Sequence, residues 1–84
     1  MIKEEIKQVQ FLIAETKNEL LVLFREYLSS RGLNTDTADR GDNALERFFD
    51  RKDKDRSYET IALDTHLQCP SGLEVAKRIR SEKA

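Results

Sequence analysis

Cysteine is scarce in this 84-residue chain. Cys69 stands alone, which excludes an internal disulfide and suits a reducing cytosol. Histidine is equally scarce. With only His66 and Cys69 to offer, an H-x-x-C pair falls short of the four ligands of a structural zinc site, so both are read as loop residues without a metal. No apolar run is long enough to span a bilayer, and no basic start leads into an apolar stretch, so neither a membrane span nor a secretory leader is expected. An excess of charge is missing too. Lys and Arg number 15 against 16 Asp and Glu, for a net charge of −1, and the signs are interspersed, which argues against a nucleic-acid footprint. No repeat or low-complexity tract is present.

What is there is one small domain, lean in core material: 38% of residues are hydrophobic and 37% charged. A chain of this length must bury its apolar surface efficiently to be stable alone. Its central stretch is Tyr58 to Val75, YETIALDTHLQCPSGLEV. Ile61, Ala62 and Leu63 form an apolar run that stops at Asp64. A polar loop follows over 65–70, and Ser71-Gly72-Leu73-Glu74 opens a helix. A strand that delivers a carboxylate at its C-terminal end, followed by a loop and a helix, builds a site of the kind found at the carboxyl ends of parallel strands.

The rest of the chain is arranged around that stretch. Met1 to Gln8 is a charged lead-in with Ile2 and Ile6 four apart. Val9 to Ala14 is nearly all apolar, as in a strand buried on both faces, and ends at a second acid, Glu15. Thr16-Lys17-Asn18-Glu19 fits a capping box. The helix after it carries an apolar stripe at 20, 24, 27 and 28 and stops at Gly32. Leu33 to Ala38 alternates weakly, which suits an edge strand. Gly41 or Asp42 can cap a short helix bearing Ala44, Leu45, Phe48 and Phe49. Arg51 to Arg56 has no apolar residue and reads as a solvated loop. In the last helix Leu73, Ala76 and Ile79 share a face, while Lys77, Arg78, Arg80 and Lys83 suit the negative end of the helix dipole. The alternation βαβαβα implies a parallel sheet with right-handed crossovers. Asp64, His66 and Ser71 include the residue types of a hydrolytic triad, but nothing places the histidine between the other two, and the triad is rejected. Cys69 has no positive neighbour in sequence and is read as an inert thiol.

FLIAET at the first strand, LVLFREYLSSRGLNTDTADRGDNALE through the next helix, strand and turn, and LDTHLQCPSGLEVAKRIR at the end resemble the receiver domain of two-component response regulators, over about residues 9–80. The resemblance implies a flavodoxin-like fold, here shortened to a three-stranded sheet of order 2-1-3, in a single domain over 1–84 with a lead-in at 1–8. It also implies phosphoryl transfer from a histidine kinase to one aspartate, and Asp64 occupies that phosphoacceptor position. The metal positions of the family fall on Glu15, Asp64 and the backbone carbonyl of His66.

Two departures shape the expectation. Thr16 stands where the family has its direct metal-binding acid, and a neutral hydroxyl is a poor ligand for a hard cation. Mg²⁺ binding is therefore expected to be weak or absent, and Asp64 a poor acceptor. The family's remaining strands, which carry a Ser/Thr and a Lys that contact the phosphoryl group, do not follow in this sequence. The third strand then becomes an edge, an invitation to pairing. The expected function is that of a degenerate, non-enzymatic receiver-like protein of the cytoplasm, acting in signal transduction through protein–protein interaction. A homodimer or a dedicated partner would bind at the third-strand edge, unless Met1 to Ile6 helps cover the exposed face. The alternative is a phosphoacceptor whose missing half is supplied in trans.

Overall fold

The computed structural model describes residues 10–54 and 56–83. Strand and helix alternate as the sequence predicts: β1 (Phe11–Ala14), α1 (Asn18–Ser30), β2 (Thr35–Ala38), α2 (Gly41–Asp53), β3 (Thr60–Leu63) and α3 (Gly72–Lys83). The three strands are parallel in the order β2-β1-β3. Ala14 lies level with Ala38 on one side and Leu63 on the other. This is the α/β fold of a shortened flavodoxin-like sheet. Val9 and the lead-in, including the idea that Met1 to Ile6 covers a face, lie outside the described residues.

β1 is the central strand and is buried on both faces: Leu12, Ile13 and Ala14 are all buried. Leu12 and Ala14 point into one core with Ala38, Ala44, Phe48, Leu67, Val75 and Ile79, beneath α2 and α3. Each large side chain buried there contributes roughly 1.5–3 kcal/mol. Ile13 points to the opposite face, toward α1. β2, with its Thr-Asp-Thr-Ala sequence, takes the edge position expected of it. In β3 only Ile61 and Leu63 pack on the core, while Thr60 and Ala62 are exposed.

The end of α1 follows from Gly32, which adopts a left-handed φ of 77°. Its N–H and that of Leu33 donate to the carbonyls of Ser29 and Leu28 at 3.0 and 2.9 Å, closing a Schellman motif.

Four local expectations are corrected. No side-chain cap starts α1: Lys17 occupies the N-cap position with no capping bond, because Thr16 is drawn to the acids described below. The buried face of α1 centres on Leu21, 7% exposed, whereas Phe24 and Tyr27 of the predicted stripe are 43% and 57% exposed. A single sheet covers only part of so wide an apolar sector. α2 likewise has no side-chain cap, and it runs through Arg51 to Asp53 rather than giving way to a loop there. Arg51 is held by residues just past the helix end: its guanidinium lies 4.9 Å from the Tyr58 ring centre, and its Nε donates to the Arg56 carbonyl at 2.7 Å. In α3 the core-facing residues are Val75 and Ile79, and Leu73 is 64% exposed. The helix leans on α2 rather than lying flat on the sheet, which turns Leu73 outward.

Candidate functional site

Parallel strands in register bring their C-terminal residues to one end of the sheet, so Glu15 after β1 and Asp64 after β3 become neighbours although 49 positions apart. Backbone bonds extend the ladder one step and fix both residues: Glu15 N–H donates to the Ala38 carbonyl at 2.9 Å, and Asp64 N–H to that of Ala14 at 2.8 Å. Thr16 sits against both acids. Its Oγ1 lies 3.1 Å from Asp64 Oδ2 and 3.3 Å from Glu15 Oε2. One hydroxyl has one proton, so it donates to one carboxylate at a time. Glu15 Oε2 also accepts from the Lys17 N–H at 3.1 Å.

The loop after β3 wraps the acceptor position. His66 N–H donates to Asp64 Oδ1 at 3.1 Å, and the His66 ring Nδ1 lies 3.3 Å from the same oxygen. Leu67 N–H reaches the Asp64 carbonyl at 3.2 Å, and its side chain is buried in the core, which anchors the turn. Two glycines let the loop pack closely. A Cβ at Gly72 would run into the Asp64 carbonyl, and one at Gly41 into the Pro70 carbonyl. The first amides of α2 are already occupied: Gly41 and Asp42 donate to the carbonyls of Gln68 and Cys69 at 2.9 and 2.8 Å.

Asp64 is kept ionised, well below the usual carboxylate range. The His66 backbone N–H is the main cause, with help from the Glu15 carboxyl, the His66 ring and Thr16 against a partial desolvation that works the other way. The result is an anion whose two oxygens each accept a bond from this chain. The side chain is 16% exposed, while the His66 ring is 85% exposed.

The acid pair can be compared with what Mg²⁺ requires. Such an ion wants six oxygens in an octahedron, including one or two carboxylates and several waters. Here the two carboxylates are bridged by the Thr16 hydroxyl, and a cation would need the Glu15 and Asp64 oxygens that the hydroxyl holds. Among the described residues no three His, Cys, Asp or Glu side chains are grouped to share a metal. Glu15, Asp64 and the His66 carbonyl would supply at most three of those oxygens, and the neutral Thr16 hydroxyl between the acids adds no charge, so the set is a poor one for a hard cation.

Thr16, Asp39, Arg40, His66, Gln68 and Cys69 line a hollow of about 380 Å³ beside the acids. The thiol therefore has Arg40 around the same hollow as well as its sequence neighbour His66, and the arginine is company that adjacency in sequence does not reveal. His66 and Ser71 are not assembled with Asp64 as a triad. Ser71 instead caps α3, its Oγ accepting from the Glu74 N–H at 3.2 Å.

Sequence reasoning missed a second polar cluster, at the opposite end of the sheet. The Tyr58 hydroxyl donates to Asp36 Oδ2 at 2.5 Å, and Arg51 lies 3.9 Å from the same oxygen. Burial, with the neighbouring Asp36 carboxylate, pushes the Tyr58 phenol above its ordinary range. The available signal was an acid at a core-facing position of β2, which needs a partner.

No protein-family model matches the chain. Over 81 residues it is 27% identical to the transcriptional regulatory protein ResD of Bacillus subtilis (strain 168), a match covering 96% of this chain and 32% of that protein. The chain thus spans about a third of the length of the curated relative it matches. No helix among the described residues is long and apolar enough to cross a membrane. Together with the parallel sheet of order 2-1-3 and an acid at the end of β3, the similarity supports a receiver-like domain at the level of the family.

Proposed function

We propose that this chain is a degenerate receiver-like protein of the cytoplasm, acting in signal transduction by binding other proteins and not as an enzyme. The observation that carries this reading is Thr16, whose hydroxyl touches both Glu15 and Asp64 where phosphoryl transfer calls for a metal-binding carboxylate. Asp64 is an anion with its oxygens committed to Thr16 and His66. In-line attack on a phosphoryl donor without a cation to offset charge is slow. Among the described residues β3 is an outer strand of the sheet, and an outer strand can recognise a partner by pairing.

A second reading has one observation in its favour: Glu15 and Asp64 are adjacent and Asp64 is ionised, as a nucleophilic carboxylate must be. A histidine kinase would then phosphorylate Asp64, with the rest of the phosphoryl-binding groups coming from another polypeptide or another segment. Intact-mass spectrometry after incubation with acetyl phosphate and Mg²⁺ separates the two. We expect no phosphate on the protein, and the same Mg²⁺ titration for the parent chain and Asp64→Asn. Phosphate mapped to Asp64 overturns the first reading.

A further inference from the structure

We propose that the first turn of α2 positions the hydrogen-bond donor on Asp64: Gly41 and Asp42 clamp the loop after β3 through two backbone bonds, which couples the start of α2 to the acid pair. A helix begins with amides that have no partner inside it. In α2 those of Gly41 and Asp42 are satisfied from another loop, by the Gln68 and Cys69 carbonyls at 2.9 and 2.8 Å. The next, the Asn43 N–H, donates to Asp42 Oδ1 at 2.8 Å, and the Ala44 N–H makes the first turn's own bond, to the Arg40 carbonyl at 3.1 Å. The positive end of the α2 dipole also favours the two carbonyls that point at it. Arg40 at the N-cap position makes no side-chain capping bond, so the loop after β3 supplies the cap.

The clamp reaches Asp64 through a short stretch of chain. Leu67 N–H donates to the Asp64 carbonyl at 3.2 Å, and the Leu67 side chain is buried in the core. Gln68 and Cys69 are then held by α2, and Gly72 packs against the Asp64 carbonyl from the far side. Between these anchors only Thr65 and His66 are left, both exposed. The His66 N–H that donates to Asp64 Oδ1 at 3.1 Å therefore has its position set from both ends, by β3 before it and by the clamp just after it. Hydrogen bonds weaken steeply as distance and angle depart from the optimum, so this one follows the clamp.

Gly41 is what lets the two loops meet. A Cβ there would run into the Pro70 carbonyl and come close to the Pro70 nitrogen. The left-handed glycine of this chain is Gly32; at position 41 the demand is for space. The turn before α2 is itself tied together, since Arg40 Nε donates to Asp42 Oδ1 at 3.2 Å and Asn43 Nδ2 to Asp39 Oδ1 at 3.0 Å. It thus moves as a unit with the helix start. The same clamp sets the width of the hollow beside the acids, which has Asp39 and Arg40 on one wall and His66, Gln68 and Cys69 on the other. A displacement of the first turn of α2, by a partner or by a substitution, is carried to Asp64 with no contact at the acid.

Amide hydrogen exchange of the full chain, followed by NMR, tests the link in both directions, with the β1 amides as the reference for global stability. In Gly41→Ala the His66 amide resonance should move, and its exchange should speed up about fivefold or more relative to β1. Asp64→Ala removes the acceptor of the His66 N–H and leaves α2 unaltered. There the Gly41 and Asp42 amides should speed up by a similar factor, because coupling is reciprocal. Leu23→Ala, at an exposed position on α1, should leave all three amides as they are in the parent. A Gly41→Ala protein whose changes stop at residues 40–45 and 68–70, with the His66 resonance in place, overturns the proposal. So does an Asp64→Ala protein in which the Gly41 and Asp42 amides speed up no more than those of β1. Should Gly41→Ala fail to fold, Asp64→Ala decides alone.

Discussion

Tyr58→Phe removes one oxygen atom from a nearly buried ring and leaves its shape. The ring, 4% exposed, would keep its packing and its contact with Arg51, so the change isolates the 2.5 Å bond to Asp36. A hydrogen bond to a charged group is worth about 1.5–3 kcal/mol. The Asp36 side chain is 27% exposed and keeps Arg51 at 3.9 Å, so water and the guanidinium recover part of the loss. The expected cost at pH 7 is about 1–2 kcal/mol, or a melting temperature lower by about 5–15 °C for a domain of this size. The pH dependence gives an independent check. The folded-state phenol titrates above its unfolded value near 10. Its contribution is therefore fully present below that pH and is lost as pH rises through the folded value. The gap between parent and variant should close in strong alkali, the parent losing stability faster. Tyr27 and the lysines are common to both proteins and cancel. Urea unfolding followed by circular dichroism at pH 7 and above pH 10 measures both effects. A variant within about 0.3 kcal/mol of the parent at pH 7, or a gap that widens with pH, would refute the account of this cluster.

Three further outcomes are expected. Thr16→Asp places a carboxylate where the hydroxyl bridges the acid pair, and should raise Mg²⁺ affinity about tenfold or more by calorimetric titration. Gly72→Ala forces the Asp64 carbonyl aside, and should cost about 1–3 kcal/mol while shifting the His66 amide resonance. Leu21→Ala should cost about 2–4 kcal/mol and Phe24→Ala under about 1 kcal/mol, both by chemical denaturation, since only Leu21 is buried beneath α1.

The order of elements was legible along the chain because local chemistry decides it. An apolar run makes β1, Gly32 ends α1, Ser71 begins α3, and strands alternating with helices leave a parallel sheet as the economical arrangement. The apolar character of Leu12 to Ala14 likewise singled out β1 as the central strand. Glu15 and Asp64 could each be placed at a strand end, and in a parallel sheet that is the same end.

Contacts between distant residues were not legible. Thr16 followed three places later by Glu19 satisfies a capping pattern, yet α1 starts one residue later with Lys17 at the cap position, and the Thr16 hydroxyl spends its proton on an acid that only folding brings close. Arg51 sits in a stretch with no apolar residue, and only the crossing of Tyr58 beneath α2 gives it a ring to lie on. Helical periodicity marked an apolar sector on α1 and another on α3 but not which part of each is buried, which depends on where neighbouring elements stop. The sequence by itself determined the strands, the helices, their order and the acids at the sheet's end, all set by periodicity and turn chemistry over a few residues. Only the tertiary structure decided that Thr16 bridges those acids, that Tyr58 serves Asp36, and that Leu73 and β3 are left facing outward, because each depends on distances across the fold that no local pattern encodes.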